Sequence, residues 1–343
     1  MKAVIDSFIP YAAEALAPYF EIESMRGDAM TAADVADADV LLVRTRTVCD
    51  ASLLSGSRVR FLGTATIGYD HIDRDWCARN GIEFHSAAGC NSRAVLQWVS
   101  AVLKTLSCRD GWKPEERTIG IVGVGHVGSL IKEYASAWGF RVLCSDPPRE
   151  RAEGLTAADG FVPLAELAAE SDLVTLHTPL TRSGEDCTFH LAGAEMLGRM
   201  KNGAVLLNSS RGEVADNASL AAESGRLTMC MDTWEGEPGN LNRSLLSAAA
   251  VATPHIAGYS LQGKANASSM ILRALGRSFG IAELSDWYPE GVKPSEPRPI
   301  SWERMKAEID LYCDLATETA RLKSHPEGFE HRRDTYPLRQ EFF

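Results

Sequence analysis

Between Thr118 and Asp146 the chain carries the pattern that most restricts its fold. Thr118-Ile119-Gly120-Ile121-Val122 is an almost wholly apolar run, followed at once by Gly123-Val124-Gly125-His126-Val127-Gly128. Val127, Leu130, Ile131, Tyr134 and Ala135 then recur at helical spacing, and a second apolar run, Arg141 to Ser145, ends in Asp146. A short run that is apolar on both faces reads as a strand covered on both sides, which belongs in a parallel sheet. The glycines fit a strand-to-helix turn that holds a dinucleotide. Gly123 serves the tight turn, Gly125 lets the pyrophosphate approach, and Gly128 allows helix to pack on strand. His126 and Val127 open the helix, where free amides meet the phosphates. Asp146 lies close to the twenty-residue offset at which an acid takes the ribose hydroxyls, and its charge favours NAD over NADP, although Arg149 stands nearby.

Around this motif the chain reads as α/β. Strand-like runs at Ala3–Ile5, Phe20–Ile22, Val40–Val43, Phe61–Gly63 and Ile82–Phe84 predict a smaller flavodoxin-like substrate domain over residues 1–92. A helix from Arg93 to Leu106 leads into a Rossmann-type doubly wound domain, 93–262, with further strands at Leu173–Leu176, Ala204–Asn208, Thr228–Asp232 and Val251–Thr253. A helix over 263–281 is expected to return and complete the first domain as part of 263–285, leaving a ligand cleft between two lobes. The formal charge of −11 argues against a nucleic-acid surface, which needs clustered Lys and Arg. The eight cysteines include no C-x-x-C pair, so neither a metal site nor a disulfide framework is expected. A charge at Asp6 comes too early for a signal peptide, and no apolar run is long enough to span a membrane. The expectation is a cytoplasmic protein.

Three side chains fall at strand exits, the edge where open α/β sheets bind ligands. His255 follows Val251-Ala252-Thr253-Pro254, and the proline stiffens the exit. Arg211 follows Leu206-Leu207-Asn208-Ser209-Ser210 and is suited to grip a carboxylate with two parallel hydrogen bonds. Glu237, in the loop after Met231-Asp232-Thr233-Trp234, is placed to fix the tautomer of His255. Together they suit oxidation of a 2-hydroxy acid: the carboxylate is anchored, the hydroxyl proton passes to imidazole, and hydride leaves for the nicotinamide.

Asn208-Ser209-Ser210-Arg211-Gly212, Glu237-Pro238 and Pro254-His255-Ile256-Ala257-Gly258, behind the glycine loop, resemble the D-2-hydroxyacid dehydrogenase superfamily. Its members use Arg, Glu and His in these roles. Narrower matches at Gly63 to Asp73, Gly89-Cys90-Asn91-Ser92, Ser145 to Arg149 and His255 to Lys264 are similar to the branch that oxidises 4-phospho-D-erythronate to 2-oxo-3-hydroxy-4-phosphobutanoate in vitamin B6 biosynthesis. That resemblance implies substrate contacts at Thr45, Thr66 and Tyr259, and NAD contacts at Asp146, Thr178, Asp232 and Gly258. Arg44-Thr45-Arg46-Thr47 offers two guanidiniums and two hydroxyls, suited to a phosphate monoester. Gly68 would let its loop amides approach the substrate carboxylate. Dehydrogenases of 3-phosphoglycerate or hydroxypyruvate, and a dinucleotide-sensing corepressor on the same fold, are the alternatives. Arg44, Arg46 and Tyr259 favour the phosphorylated substrate.

The C-terminal segment, 286–343, begins with a proline-rich linker from Pro289 to Pro299 and a candidate N-cap at Ser301. Met305, Ile309, Tyr312, Leu315, Ala316, Thr319 and Leu322 form one apolar stripe at helical spacing. Phe329, Tyr336, Leu338, Phe342 and Phe343 add apolar surface. Relatives in that branch carry a C-terminal dimerisation domain, so a homodimer contact is expected here, against the alternative of a helix folded onto its own chain. Gln97 stands where many relatives carry Glu, with little effect expected on chemistry.

Overall fold

Each apolar run read as a strand pairs in parallel with its neighbours, and the strands form two sheets. A computed structural model describes all residues from Met1 to Phe343. Two units emerge, one of Met1–Asn91 with Ser260–Ser295 and one of Ser92–Tyr259 with Glu296–Phe343.

The first unit holds β1 (Lys2–Asp6), β2 (Glu21–Met25), β3 (Val40–Val43), β4 (Phe61–Thr64) and β5 (Glu83–Ser86), in the order β2-β1-β3-β4-β5. This is the flavodoxin-like order, whose direction of winding reverses between β1 and β3. Side-chain alternation divides the strands between two cores. Ala3, Ile5, Val40, Leu42 and Phe61 pack with Ala267, Ile271, Leu272 and Leu275 on one face. Val4, Leu41, Val43 and Leu62 pack with Leu53, Leu54 and Cys77 on the other. The returning helix, Leu261–Phe279, sits so close to β4 that a Cβ on Gly63 would lie 2.5 Å from Ile271 Cγ2.

The second unit holds β6 (Thr118–Val122), β7 (Arg141–Ser145), β8 (Leu173–Leu176), β9 (Val205–Asn208), β10 (Thr228–Met231) and β11 (Val251–Ala252), in the order β11-β10-β9-β8-β6-β7. Phe161 adds an isolated parallel bridge to Cys144 outside β7. With that bridge as a vestigial strand, the sheet has the doubly wound dinucleotide order, reversing between β6 and β8. The glycine loop leaves β6 at that point.

The C-terminal segment departs from expectation. Its stripe does not form one helix: Trp302–Glu308, capped by Ser301, gives way to a 3-10 turn at Ile309–Leu311. A new helix, Leu315–Ser324, starts where the Asp314 carboxylate accepts the Thr317 amide. Four members of the stripe, Met305, Ile309, Leu315 and Leu322, are already buried within the chain. Met305, Ile309, Leu315, Phe342 and Phe343 join a core with Trp98, Trp112, Tyr134 and Trp138, while Leu322 and Phe329 join the core beneath β9 and β10. Each such burial contributes roughly 1.5–3 kcal/mol. Residues 296–343 thus pack as part of the second unit. Gln97, at 0 % exposure, belongs to this packing. Its amide donates to the Tyr312 and Gln340 carbonyls and accepts the Phe342 amide. A carboxylate could not donate either bond, so the Gln at this position has a structural role beyond the loss of a charge.

Candidate active site

The glycine loop has the shape its residues predict. Gly123 adopts φ +85°, and a Cβ on Gly128 would meet the Gly123 carbonyl oxygen at 2.1 Å. Gly125 has open space where a Cβ would stand and precedes the helix His126–Trp138, whose N-terminus has no side-chain cap. The first-turn amides at His126, Val127 and Gly128 therefore present an anion site. Asp146 follows β7, and its carboxylate accepts the Val124 amide at 2.7 Å and the Arg149 amide at 3.2 Å. Arg149 donates to the Val124 carbonyl at 2.7 Å and pairs with Glu153. Thr178, after β8, has a buried hydroxyl without a hydrogen-bond partner. Its neighbour His177 is driven down to about 3 by burial, which keeps that imidazole neutral.

His255 leaves β11 with φ 56°, a left-handed conformation that non-glycine residues seldom adopt. Its Nδ1 is hydrogen-bonded to Glu237 Oε1, and Glu237 Oε2 accepts the Trp234 amide at 3.0 Å. Burial opposes charge on Glu237, but His255, the Trp234 amide and Arg333 outweigh it and hold the carboxyl below its ordinary range. Because a carboxylate only accepts, the proton of this pair sits on Nδ1 and the lone pair is left on Nε2. The backbone is fixed by Asp232. Its carbonyl accepts the His255 amide at 2.8 Å, and its carboxylate accepts the amides of Ile256 at 2.8 Å and Ala257 at 2.9 Å and the Thr253 hydroxyl at 2.5 Å. Burial raises the Asp232 carboxyl, against the pull of His255 and these donors. Expected as a cofactor contact, Asp232 has a carboxylate engaged in shaping the loop that carries His255. Gly258 and Tyr259 follow, with the Tyr259 ring edge-on to Tyr336.

Arg211 leaves β9, which pairs with β10. Asn208 shapes the turn: its side chain accepts the Ser210 amide and hydroxyl and donates to the Arg211 carbonyl at 2.9 Å. The Ser209 hydroxyl is buried without a partner. Gly212 is required because a Cβ there would lie 2.1 Å from the Trp234 carbonyl carbon, so the exits of β9 and β10 run in backbone contact.

In the first unit, the Thr66 hydroxyl donates to the Gly68 carbonyl at 3.0 Å and meets Thr64 Oγ1 at 2.7 Å, which in turn meets His71 Nε2 at 3.2 Å. Thr45 is exposed at the exit of β3. Its flanking arginines have different surroundings. Arg44 lies over the Phe8 ring at 5.9 Å, whereas Arg46 lines a cavity of about 300 Å³ with Asp28, Thr31 and Ser52. The segment that carries them is a turn, closed by the Thr47 amide on the Arg44 carbonyl at 3.2 Å.

Residues 93–257 match the family described as D-isomer specific 2-hydroxyacid dehydrogenase, NAD binding domain. A protein of Bacteroides thetaiotaomicron named erythronate-4-phosphate dehydrogenase is 42% identical over 347 residues, spanning 99% of this chain and 97% of that one. One of the same name from Edwardsiella ictaluri is 40% identical over 360 residues, covering 100% of this chain and 93% of its own. The chain belongs to the erythronate-4-phosphate dehydrogenase family. The solved D-lactate dehydrogenase of Aquifex aeolicus, complexed with NAD and lactic acid, has the same fold, with TM-score 0.67 and 23% identity over 85% of this chain and all of that one. The TT0316 protein of Thermus thermophilus matches with TM-score 0.67 and 27% identity over 82% of this chain and 97% of its own.

The residues present fit NAD. The space before Gly125, the uncapped helix end and the orphaned Thr178 and Ser209 hydroxyls are features a dinucleotide would fill and satisfy. Sequence reasoning missed Asn208 as the shaper of the Arg211 turn, and Trp234 and Thr253 as supports of the loop that carries His255. Trp234 Nε1 donates to the Thr253 carbonyl at 2.9 Å, and Trp98 Nε1 to the Thr253 hydroxyl at 3.0 Å. These are contacts between distant residues, and no local pattern marks them.

Proposed function

We propose that the protein is an NAD-dependent dehydrogenase that oxidises 4-phospho-D-erythronate to 2-oxo-3-hydroxy-4-phosphobutanoate in pyridoxal phosphate biosynthesis. Identity to proteins of that name along nearly the whole of both chains carries this assignment. The geometry supports it with a division of labour. Arg211 binds the substrate carboxylate and fixes C2. His255, with Nδ1 held by Glu237, takes the C2 hydroxyl proton on Nε2. Glu237 stabilises the imidazolium that results. The glycine loop and the uncapped helix end at His126 would hold NAD, which would supply the hydride acceptor. As the C2–H pair of electrons leaves, the O–H pair closes the carbonyl, and proton and hydride are both accounted for.

Thr45, Thr66, Gly68 and Tyr259, with the Arg44 and Arg46 loop, are proposed to recognise the rest of the phosphorylated substrate. The eight free thiols, six of them buried, suit a reducing compartment such as the cytoplasm. No helix is long and apolar enough to cross a membrane. For self-association the remaining support is exposed apolar surface at Leu311, 84% exposed, and Leu338, 39% exposed, together with Ala316, the exposed member of the stripe. Sedimentation velocity reads the mass directly.

Initial rates of NADH formation with 4-phospho-D-erythronate, 3-phosphoglycerate and D-lactate test the assignment. The first should exceed the others by at least about tenfold in kcat/KM. Preference for another acid would overturn the substrate, and no turnover on any would favour a dinucleotide-binding sensor.

A further inference from the structure

Arg339 is 7% exposed, and its guanidinium is paired with no carboxylate. Its Nη1 donates to the Ile256 carbonyl at 3.0 Å and lies 3.4 Å from the Tyr336 hydroxyl. Its Nη2 donates to the Ala94 carbonyl at 3.0 Å and to the Ala257 carbonyl. A buried cation must be solvated by something, and here main-chain dipoles do it. Two of those dipoles belong to the residues immediately after His255.

The amides of Ile256 and Ala257 are held by the Asp232 carboxylate. Their carbonyls are held by Arg339. The two residues therefore lie between the Asp232 carboxyl group and the Arg339 guanidinium, with N–H groups toward the one and C=O groups toward the other, and the left-handed turn at His255 feeds directly into this clamp. A segment that served only to cover apolar surface would need no guanidinium here; Leu or Met would fill the space without burying charge. Two neighbours touch the same machinery. Arg333 Nη1 lies 3.9 Å from Glu237 Oε1, and Tyr336 packs on Tyr259.

We propose that Arg339 is a positioning residue for His255, so that the segment from Phe329 to Phe343 serves the catalytic centre as well as the core. The proposal rests on the reading of His255 as proton acceptor. Arg339 touches neither substrate nor cofactor in this scheme; it acts through the backbone on which the imidazole is mounted.

The test compares wild type, Arg339→Met, Arg339→Lys and His255→Ala in the full chain. It measures kcat, KM, NAD affinity by fluorescence, thermal melting, and hydrogen exchange in peptides containing Ile256 and Ala257. Arg339→Met should lower kcat about 100-fold, the scale of an ångström misplacement, with NAD affinity within about twofold. Exchange at 256 and 257 should rise at least about tenfold while distant peptides stay protected. Arg339→Lys should recover part of kcat, because an ammonium reaches some but not all of the carbonyls. Should Arg339→Met fail to fold, Arg339→Lys carries the test through a partial fall in kcat and faster exchange at the same two amides. Unchanged kcat and unchanged local exchange in the folded variant would overturn the proposal, as would a fall in kcat matched by loss of NAD affinity and exchange throughout the chain. Were wild type inactive on 4-phospho-D-erythronate, the substrate reading would fall, and exchange at 256 and 257 would still decide whether Arg339 holds the loop.

Discussion

Gly212→Ala is the sharpest test of how the sheet edge aligns the reacting groups. An added Cβ would lie 2.1 Å from the Trp234 carbonyl carbon, 2.2 Å from its oxygen and 2.3 Å from the Glu235 nitrogen. Ordinary contact begins near 3.4 Å, so the two strand exits must part by about 1.3 Å. Trp234 cannot retreat easily, because it is 1% exposed and bonded through its indole to Thr253 and through its amide to Glu237. The movement therefore falls on the β9 exit, which carries Arg211. Overpacking of this kind costs about 1–3 kcal/mol of stability, and a displacement near 1 Å lowers turnover about 100-fold. The assay is NADH formation with 4-phospho-D-erythronate, paired with urea unfolding and NAD titration. NAD affinity should change little, since the glycine loop leaves β6. If kcat/KM stays within about threefold of wild type with unaltered unfolding, backbone contact between these exits does not set the position of Arg211.

His255→Ala should lose turnover by about 10³-fold while still binding NAD, and Glu237→Gln should lose turnover without loss of NAD affinity; full activity in either would refute the dyad. Arg211→Lys should raise KM and lower kcat together, because the two-pronged grip on a carboxylate is lost. Joint replacement of Arg44 and Arg46 by Ala should harm phosphorylated substrates selectively, and equal losses on an unphosphorylated analogue would mark the loop as structural. The Glu237 carboxyl is held below its ordinary value, so its stabilising contribution is complete above the unfolded pKa of about 4.3 and fades as pH falls through the lower folded one. Acid unfolding of Glu237→Gln should therefore show a shallower loss of stability in that window; identical pH slopes would refute this.

The strands were readable because buried parallel strands are continuous apolar runs, and Gly123, Gly125 and Gly128 declared the turn between β6 and its helix. His255, Arg211 and Glu237 were readable as strand exits. Harder to read were features created by contact between distant segments. Nothing local marks the left-handed backbone at His255, the inward turn of the Asp232 carboxylate, or the meeting of Gly212 with Trp234. Phe161, the remnant of a sheet strand, lies in a run too short to stand out. In the C-terminal segment, periodicity identified the apolar face of Met305, Ile309 and Leu322 but not what covers it, because a repeat specifies a face and leaves its partner open. No local pattern marks Arg339 as buried, because the carbonyls that surround it come from distant segments.

The backbone at residue 255 also limits what mutation can place there. His, Asn and Asp enter the left-handed region several times more readily than other side chains, while β-branched residues are strained in it. His255→Asn, reachable by a single nucleotide change, would remove the base while preserving the turn into Ile256 and Ala257. On this scaffold a catalyst and a silent dinucleotide sensor of the same shape are separated by one base pair of coding sequence.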